Sequence, residues 1–202
     1  MVIYLIRHGM TAGNRKKRYI GRTDEPLCQE GRERLEKIRE RGLYTEPVLL
    51  YVSPMLRCLE TAQILFPGME QNVIENLREC DFGEFENQNY LELAGNANYQ
   101  KWIDSNGMLP FPGGESREDF KHRSLTGFQK AVTGCIREDV HTAALVVHGG
   151  TIMNIMEEYA DRQRPFYEWH VKNGGGYQVE LDPATWKQGK HEFRVCEAYM
   201  EG

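Results

Sequence analysis

Two short apolar runs constrain this chain more than anything else in it. Val2-Ile3-Tyr4-Leu5-Ile6 leads into Arg7-His8-Gly9, and Ala144-Leu145-Val146-Val147 leads into His148-Gly149-Gly150. Continuous apolar runs of this length suit strands covered on both faces. If both are parallel strands of one sheet, their carboxyl ends share an edge, where open α/β sheets bind ligands. Two imidazoles and a guanidinium then converge, a grouping suited to gripping an anionic group and attacking it.

The rest of the pattern supplies the sheet's partners. Residues 48–53 form another apolar run, and between it and the first lies Gln29 to Arg41, a charge-rich crossover helix with Leu35 and Ile38 on one side. Pro54 opens a further helix that Pro67 stops. From Glu79 to about Gly114 the chain carries Phe82, Phe85, Tyr90, Tyr99, Trp102 and Phe111 among Asn, Gly and Pro. This stretch reads as an excursion beside the sheet with one helix near 88–103. A long helix is expected from Ser116 to about Glu138, with Ser116 as N-cap and Asp119 near the capping-box position. A strand at 143–148 and a helix bearing Ile152, Ile155, Met156 and Tyr159 at i, i+3, i+4 and i+7 follow. Runs near Gly176–Leu181 and Glu192–Ala198 read as closing strands, open to antiparallel pairing. The whole predicts an α/β fold: a three-layer α/β/α sandwich around a mainly parallel sheet. One domain is expected over residues 1–202, with 79–114 as a partial lid.

Composition excludes several classes. The chain has 202 residues, 40% of them hydrophobic, enough for one sizeable core. A formal net charge of -5 argues against a general nucleic-acid or membrane surface role. Five cysteines, odd in number and without a CxxC pair, read as free thiols of a reducing compartment. No stretch approaches a membrane span, and the expected location is cytoplasmic. His122, His141, His170 and His191 lack ligand spacing such as HExxH, so neither a catalytic metal nor a cofactor is expected. Nothing in the sequence fixes an oligomeric state.

Arg7 offers a planar fork of donors that matches phosphate oxygens, and His8 is a neutral imidazole near pH 7 unless perturbed. Arg57 follows the second strand by one helical turn, so its side chain can return to the same edge, although a surface arginine is the simpler meaning of that residue alone. His148-Gly149-Gly150-Thr151 places a strand end before a helix whose first N–H groups lack partners, a ready anion site.

The chain resembles the histidine phosphatase superfamily, which includes cofactor-dependent phosphoglycerate mutases and many phosphatases. The likeness is carried by six ordered blocks: Arg7-His8-Gly9-Met10-Thr11 with Asn14; Gly21 to Leu27 with Gly31; Ser53-Pro54-Met55-Leu56-Arg57 with Thr61-Ala62; Glu79 to Gly83; Gly114-Glu115-Ser116; and His148-Gly149-Gly150. The segment Arg78 to Glu86 looks most like the α-ribazole phosphatase and broad-specificity phosphatase branch. The resemblance implies that His8 attacks phosphorus and becomes a phosphohistidine, which water then hydrolyses. It implies that Arg7, Arg57 and a protonated His148 hold the phosphoryl oxygens, with Asn14, Gly21 and the Gly149 N–H completing the binding set. It selects Glu79 as proton donor over nearby Glu84 and Glu86. The expected partner is a small phosphomonoester, with no nucleic acid and no membrane.

Met10, Cys28 and Asn87 depart from the usual family pattern without removing a catalytic group. Ile20 stands where the mutases place a substrate-touching hydroxyl, which disfavours mutase-type binding. A phosphoglycerate mutase is the nearest alternative, and a non-catalytic phospho-ligand binding protein the second. The run Arg15-Lys16-Lys17-Arg18 reads as a solvated face, with contact to a second acidic group as its alternative. The aromatics of 82–111 read first as core, with stacking on a planar substrate group as theirs.

Overall fold

A computed structural model describes residues 1–199. Six strands form one sheet: β1 (Val2–Arg7), β2 (Leu49–Val52), β3 (Gln71–Val73), β4 (Thr142–Val147), β5 (Gly176–Glu180) and β6 (Arg194–Tyr199), in the order β3-β2-β4-β1-β5-β6. β1, β2, β3 and β4 pair in parallel, and β5 and β6 close the sheet antiparallel.

Each face of this sheet is covered. Ile3, Leu5, Leu145 and Val147 point toward helices α5 (Arg117–Arg137) and α6 (Gly149–Tyr159), in a core with Phe128, Val132, Ile152 and Met156. Tyr4, Ile6, Ala144 and Val146 point the other way, toward α2 (Gln29–Glu40) and α3 (Leu56–Leu65), in a core with Leu35, Ile38, Ala62 and Leu65. Burial on both sides is why these strands are continuous apolar runs rather than alternating ones. Each fully buried Leu, Ile or Val contributes roughly 1.5–3 kcal/mol of apolar burial. Ser116 caps α5, its Oγ accepting from Asp119 N at 3.0 Å.

Three elements were not legible in sequence: α1 (Ala12–Arg15), the short edge strand β3, and α7 (Pro183–Lys187). The helix expected near 88–103 is reduced to α4 (Ala97–Asp104). Asn87 takes a left-handed φ of 57°, and Asn89 ties up Leu91 N and Glu92 N in a local turn. Gly95 at φ 85° then breaks the path, and Asn96 starts the helix afresh by capping Asn98 N and Tyr99 N.

Register is the link from fold to site. β1 and β4 pair Arg7 with Val147, so His8 and His148 leave the sheet side by side. The His8 N–H still donates to Val147 O at 2.9 Å, and the Ser53 N–H beyond β2 donates to Val146 O at 3.0 Å. Three adjacent strand ends thus deliver their last residues to one place.

Candidate active site

The rings of His8 and His148 lie 5.2 Å apart, inclined at 64°. His8 is 3% exposed, and its Nδ1 stands 2.7 Å from Gly9 O. A carbonyl can only accept, so Nδ1 carries the proton and Nε2 keeps a lone pair. Burial, then the charges of Arg57 and Arg7, push the His8 pKa well below the ordinary imidazole value. The side chain is therefore neutral around pH 7 in the tautomer a nucleophile at Nε2 requires. Its loop is pinned by Gly9 N donating to Thr61 Oγ1 at 2.9 Å and by Asn173 Nδ2 donating to His8 O at 3.1 Å.

His148 is oriented by Ser53, whose Oγ lies 2.7 Å from Nε2, with Cys58 Sγ at 3.6 Å from the same nitrogen. Burial, then Arg57, push His148 well below the ordinary value as well. That direction favours the neutral ring, whereas the form expected from sequence is the imidazolium that holds phosphoryl oxygens. Negative charge beside the rings works in the opposite direction and favours the imidazolium.

Two guanidiniums flank the imidazoles, Arg57 buried and Arg7 half-buried. Arg57 is 0% exposed, donating to Thr23 O at 2.9 Å, Gly21 O at 2.9 Å and Ile20 O at 3.3 Å. Arg7 donates to Val171 O at 2.6 Å and lies 3.2 Å from His170 Nε2. Among the described residues neither pairs with a carboxylate, and the Nε of each is buried without a partner. Buried cations are ordinarily paired, so this arrangement is suited to an incoming anion. Gly149, the first residue of α6, lets its backbone pack on Arg7: a Cβ there would lie 3.4 Å from Arg7 Nε. Its N–H has no partner within the helix, as at any helix start.

The structure separates the three glutamates. Glu79 is half-buried, its Oε1 accepting from Cys80 N at 3.0 Å, and desolvation raises its carboxyl above the ordinary range against the pull of that N–H and of Arg57 and Arg7. Glu84 is exposed and accepts from Asn98 Nδ2. Glu86 holds the Gly21 and Thr23 N–H groups at 2.7 and 2.9 Å. Glu79 also approaches α6 closely, since a Cβ on Gly150 would lie 2.8 Å from its Oε1. Arg123 on α5 fixes its loop, donating to the carbonyls of Asn76, Arg78 and Glu79 while pairing with Glu115 at 2.7 Å.

Two other expected contacts are placed differently from a direct grip on substrate. The Gly21 N–H is taken by Glu86 and its carbonyl by Arg57; a Cβ there would sit 1.8 Å from Cys80 O, so the residue serves close approach of two loops. The Asn14 Oδ1 accepts from Thr11 N and from Asn173 Nδ2, tying α1 to the loop before β5. Of the basic run, Arg15, Lys16 and Lys17 are exposed, while Arg18 pairs with Glu92 of the excursion.

Ser53 and Thr61 sit inside the motif blocks but carry no signal of their contacts. Asn173 and Arg123 act across more than forty residues and had none. Two cavities open beside Glu79. One, of about 270 Å³, is polar and includes Arg22, Arg78, Asp81 and Arg123. The other, of about 370 Å³, is lined mainly by aromatic rings.

The family model of the histidine phosphatase superfamily (branch 1) matches residues 3–192. A glucosyl-3-phosphoglycerate phosphatase of Mycolicibacterium vanbaalenii is 31% identical over 183 residues, covering 86% of this chain and 80% of that protein. A broad-specificity phosphatase of Saccharomyces cerevisiae is 31% identical over 77% of this chain and 68% of its own. A 2,3-bisphosphoglycerate-dependent phosphoglycerate mutase of Gloeobacter violaceus is 30% identical over 78% and 74%. In fold, the α-ribazole phosphatase of Shigella flexneri superposes with a TM-score of 0.81 at 20% identity, covering 100% of this chain and 96% of that one. The chain belongs to the histidine phosphatase superfamily, whose members here include both phosphatases and mutases.

Proposed function

We propose that the protein is a phosphomonoesterase of small organic phosphates that works through a phosphohistidine on His8, without a metal. The observation that carries this reading is the pair of guanidiniums, Arg57 buried and Arg7 half-buried and neither in a salt bridge among the described residues, beside an imidazole whose Nδ1 is the protonated nitrogen. His8 Nε2 attacks phosphorus in line; a P–N bond forms as the ester P–O bond breaks. The leaving alkoxide takes the proton of the Glu79 carboxyl, which burial keeps available at higher pH than usual. A water molecule then gives one of its own protons to the Glu79 carboxylate as it attacks, the P–N bond breaks, and orthophosphate leaves. Throughout, Nδ1–H stays on Gly9 O, while Arg7, Arg57 and His148 balance the charge on the phosphoryl oxygens, an effect worth roughly 3 kcal/mol per donor in comparable sites.

The phosphatase is favoured over the mutase by Ile20, which is buried and offers no hydroxyl at its position. α-Ribazole 5′-phosphate, the substrate class named for one structural neighbour, belongs in the first substrate panel. Turnover with release of orthophosphate, together with an acid-labile phosphoryl label that His8→Ala abolishes, is the expected result. Undiminished hydrolysis by His8→Ala rejects the mechanism, and net interconversion of phosphoglycerates without phosphate release establishes the mutase instead.

A further inference from the structure

We propose that the part of the substrate bearing the phosphoryl group is a flat, uncharged ring system seated in the aromatic cavity beside Glu79. This rests on the phosphatase reading of the site and adds the substrate class to it.

The cavity, at about 370 Å³, falls within the roughly 300–1,000 Å³ typical of small-molecule sites. Tyr19, Phe82, Trp102, Phe111, Phe120 and Phe166 all line it. The first four are held together by ring contacts. Trp102 stacks on Phe111 at 5.1 Å and 29°, and Phe82 meets Phe111 edge-on at 5.0 Å and 87°. The Arg117 guanidinium sits 4.9 Å over Phe166. A lining of rings already packed on one another favours a ring over a flexible polar chain, because little side-chain ordering is needed on binding.

Charge points the same way. Around both cavities next to Glu79 the cations are already matched: Arg22 with Asp81 at 3.5 Å, Arg78 with Glu75 at 3.7 Å, Arg123 with Glu115 at 2.7 Å and Arg117 with Glu157 at 3.5 Å. A carboxylate or second phosphoryl group on the substrate would meet arginines already paired with carboxylates. The guanidiniums without counter-carboxylates, Arg7 and Arg57, are committed to the phosphoryl group. The site takes one anionic group and one ring.

The test compares 2-(1-naphthyl)ethyl phosphate, n-propyl phosphate and 3-phosphoglycerate with the full chain. All three lose an alcohol of the primary or sugar-acid type, so leaving-group chemistry does not decide the ranking as it would with phenols. We expect kcat/KM for the naphthyl ester to exceed that for the propyl ester by roughly 10- to 100-fold. The ratio should shrink several-fold in Tyr167→Ala and in Phe111→Ala. Tyr167 lines the cavity yet is 68% exposed, so its loss leaves folding intact. A ratio near one, or a preference for 3-phosphoglycerate, overturns the proposal. If no ester is hydrolysed, the phosphatase reading fails by itself. Calorimetric binding of 2-(1-naphthyl)ethanol then decides the cavity: binding weakened by Tyr167→Ala supports it, and absence of binding overturns it.

Discussion

The phosphate end and the aromatic end of this site meet at Glu79 and are built by opposite means. The phosphate end is the terminus of three paired strands, with His8, His148 and Ser53 set by register and two arginines held by backbone carbonyls. The aromatic end is an excursion of turns, with left-handed residues at Gly83, Asn87, Gly95, Asn106, Gly107 and Gly113, packed around the fully buried Phe85. A register cannot be changed by one residue without inverting a strand's faces, whereas turns tolerate exchange. On the proposed reading, the reaction is invested in the scaffold and the choice of substrate in the loops.

Replacing the residue at the junction is the largest single test. Glu79→Gln should lower kcat on alkyl esters by roughly 10²- to 10⁴-fold, as loss of a general acid does. The signs for pH follow from the environment. Burial raises Glu79, so its acid form persists upward in pH; burial, Arg57 and Arg7 lower His8, so its free base persists downward. The wild-type rate should hold over a broad plateau, falling on the alkaline side with Glu79 and on the acid side with His8. In Glu79→Gln the alkaline fall should vanish; its survival would assign that limb to another group.

Arg57→Gln probes the scaffold side. A drop of roughly 10²- to 10³-fold in kcat is expected for one lost charge donor, and the carbonyls of Ile20, Gly21 and Thr23 lose their shared partner. Thermal unfolding with and without orthophosphate separates the two effects. Stabilisation by orthophosphate should shrink in the variant, and an undiminished shift would remove Arg57 from the anion's contacts.

Phe85→Leu addresses the excursion alone. Phe85 touches Tyr99, Trp102 and Phe111 at 5.3, 6.0 and 5.9 Å but does not line the cavity. A cost of about 1 kcal/mol in urea unfolding is expected, with ring-bearing esters losing more kcat/KM than propyl phosphate. Equal losses on both would mean that the two ends are not separable.

Legibility followed the same division. Strand exits could be read because doubly covered strands announce themselves as apolar runs, and Arg7, His8, Arg57 and His148 stand at fixed offsets from them. The 88–103 stretch misled because aromatic spacing resembles a helix, while Asn87, Gly95 and Asn96 each redirect the backbone. The protonation of His148 depends on burial and on Arg57, a residue ninety-one positions away, as the numbering itself shows. Asn173 and Arg123 act on His8 and Glu79 from distant elements, and no local pattern encodes such reach.

The loop after β1 carries the proposed nucleophile and is fastened by residues more than 160 positions further on: Arg7 N–H to Gly175 O, Gly174 N–H to Arg7 O and His8 O, and Arg7 Nη1 to Val171 O. A growing chain that has passed His148 already owns both imidazoles and both guanidiniums, but not the backbone that steadies them. The proposed site is therefore steadied only once residues 171–175 have been made, when β1 to β4 are already in the chain.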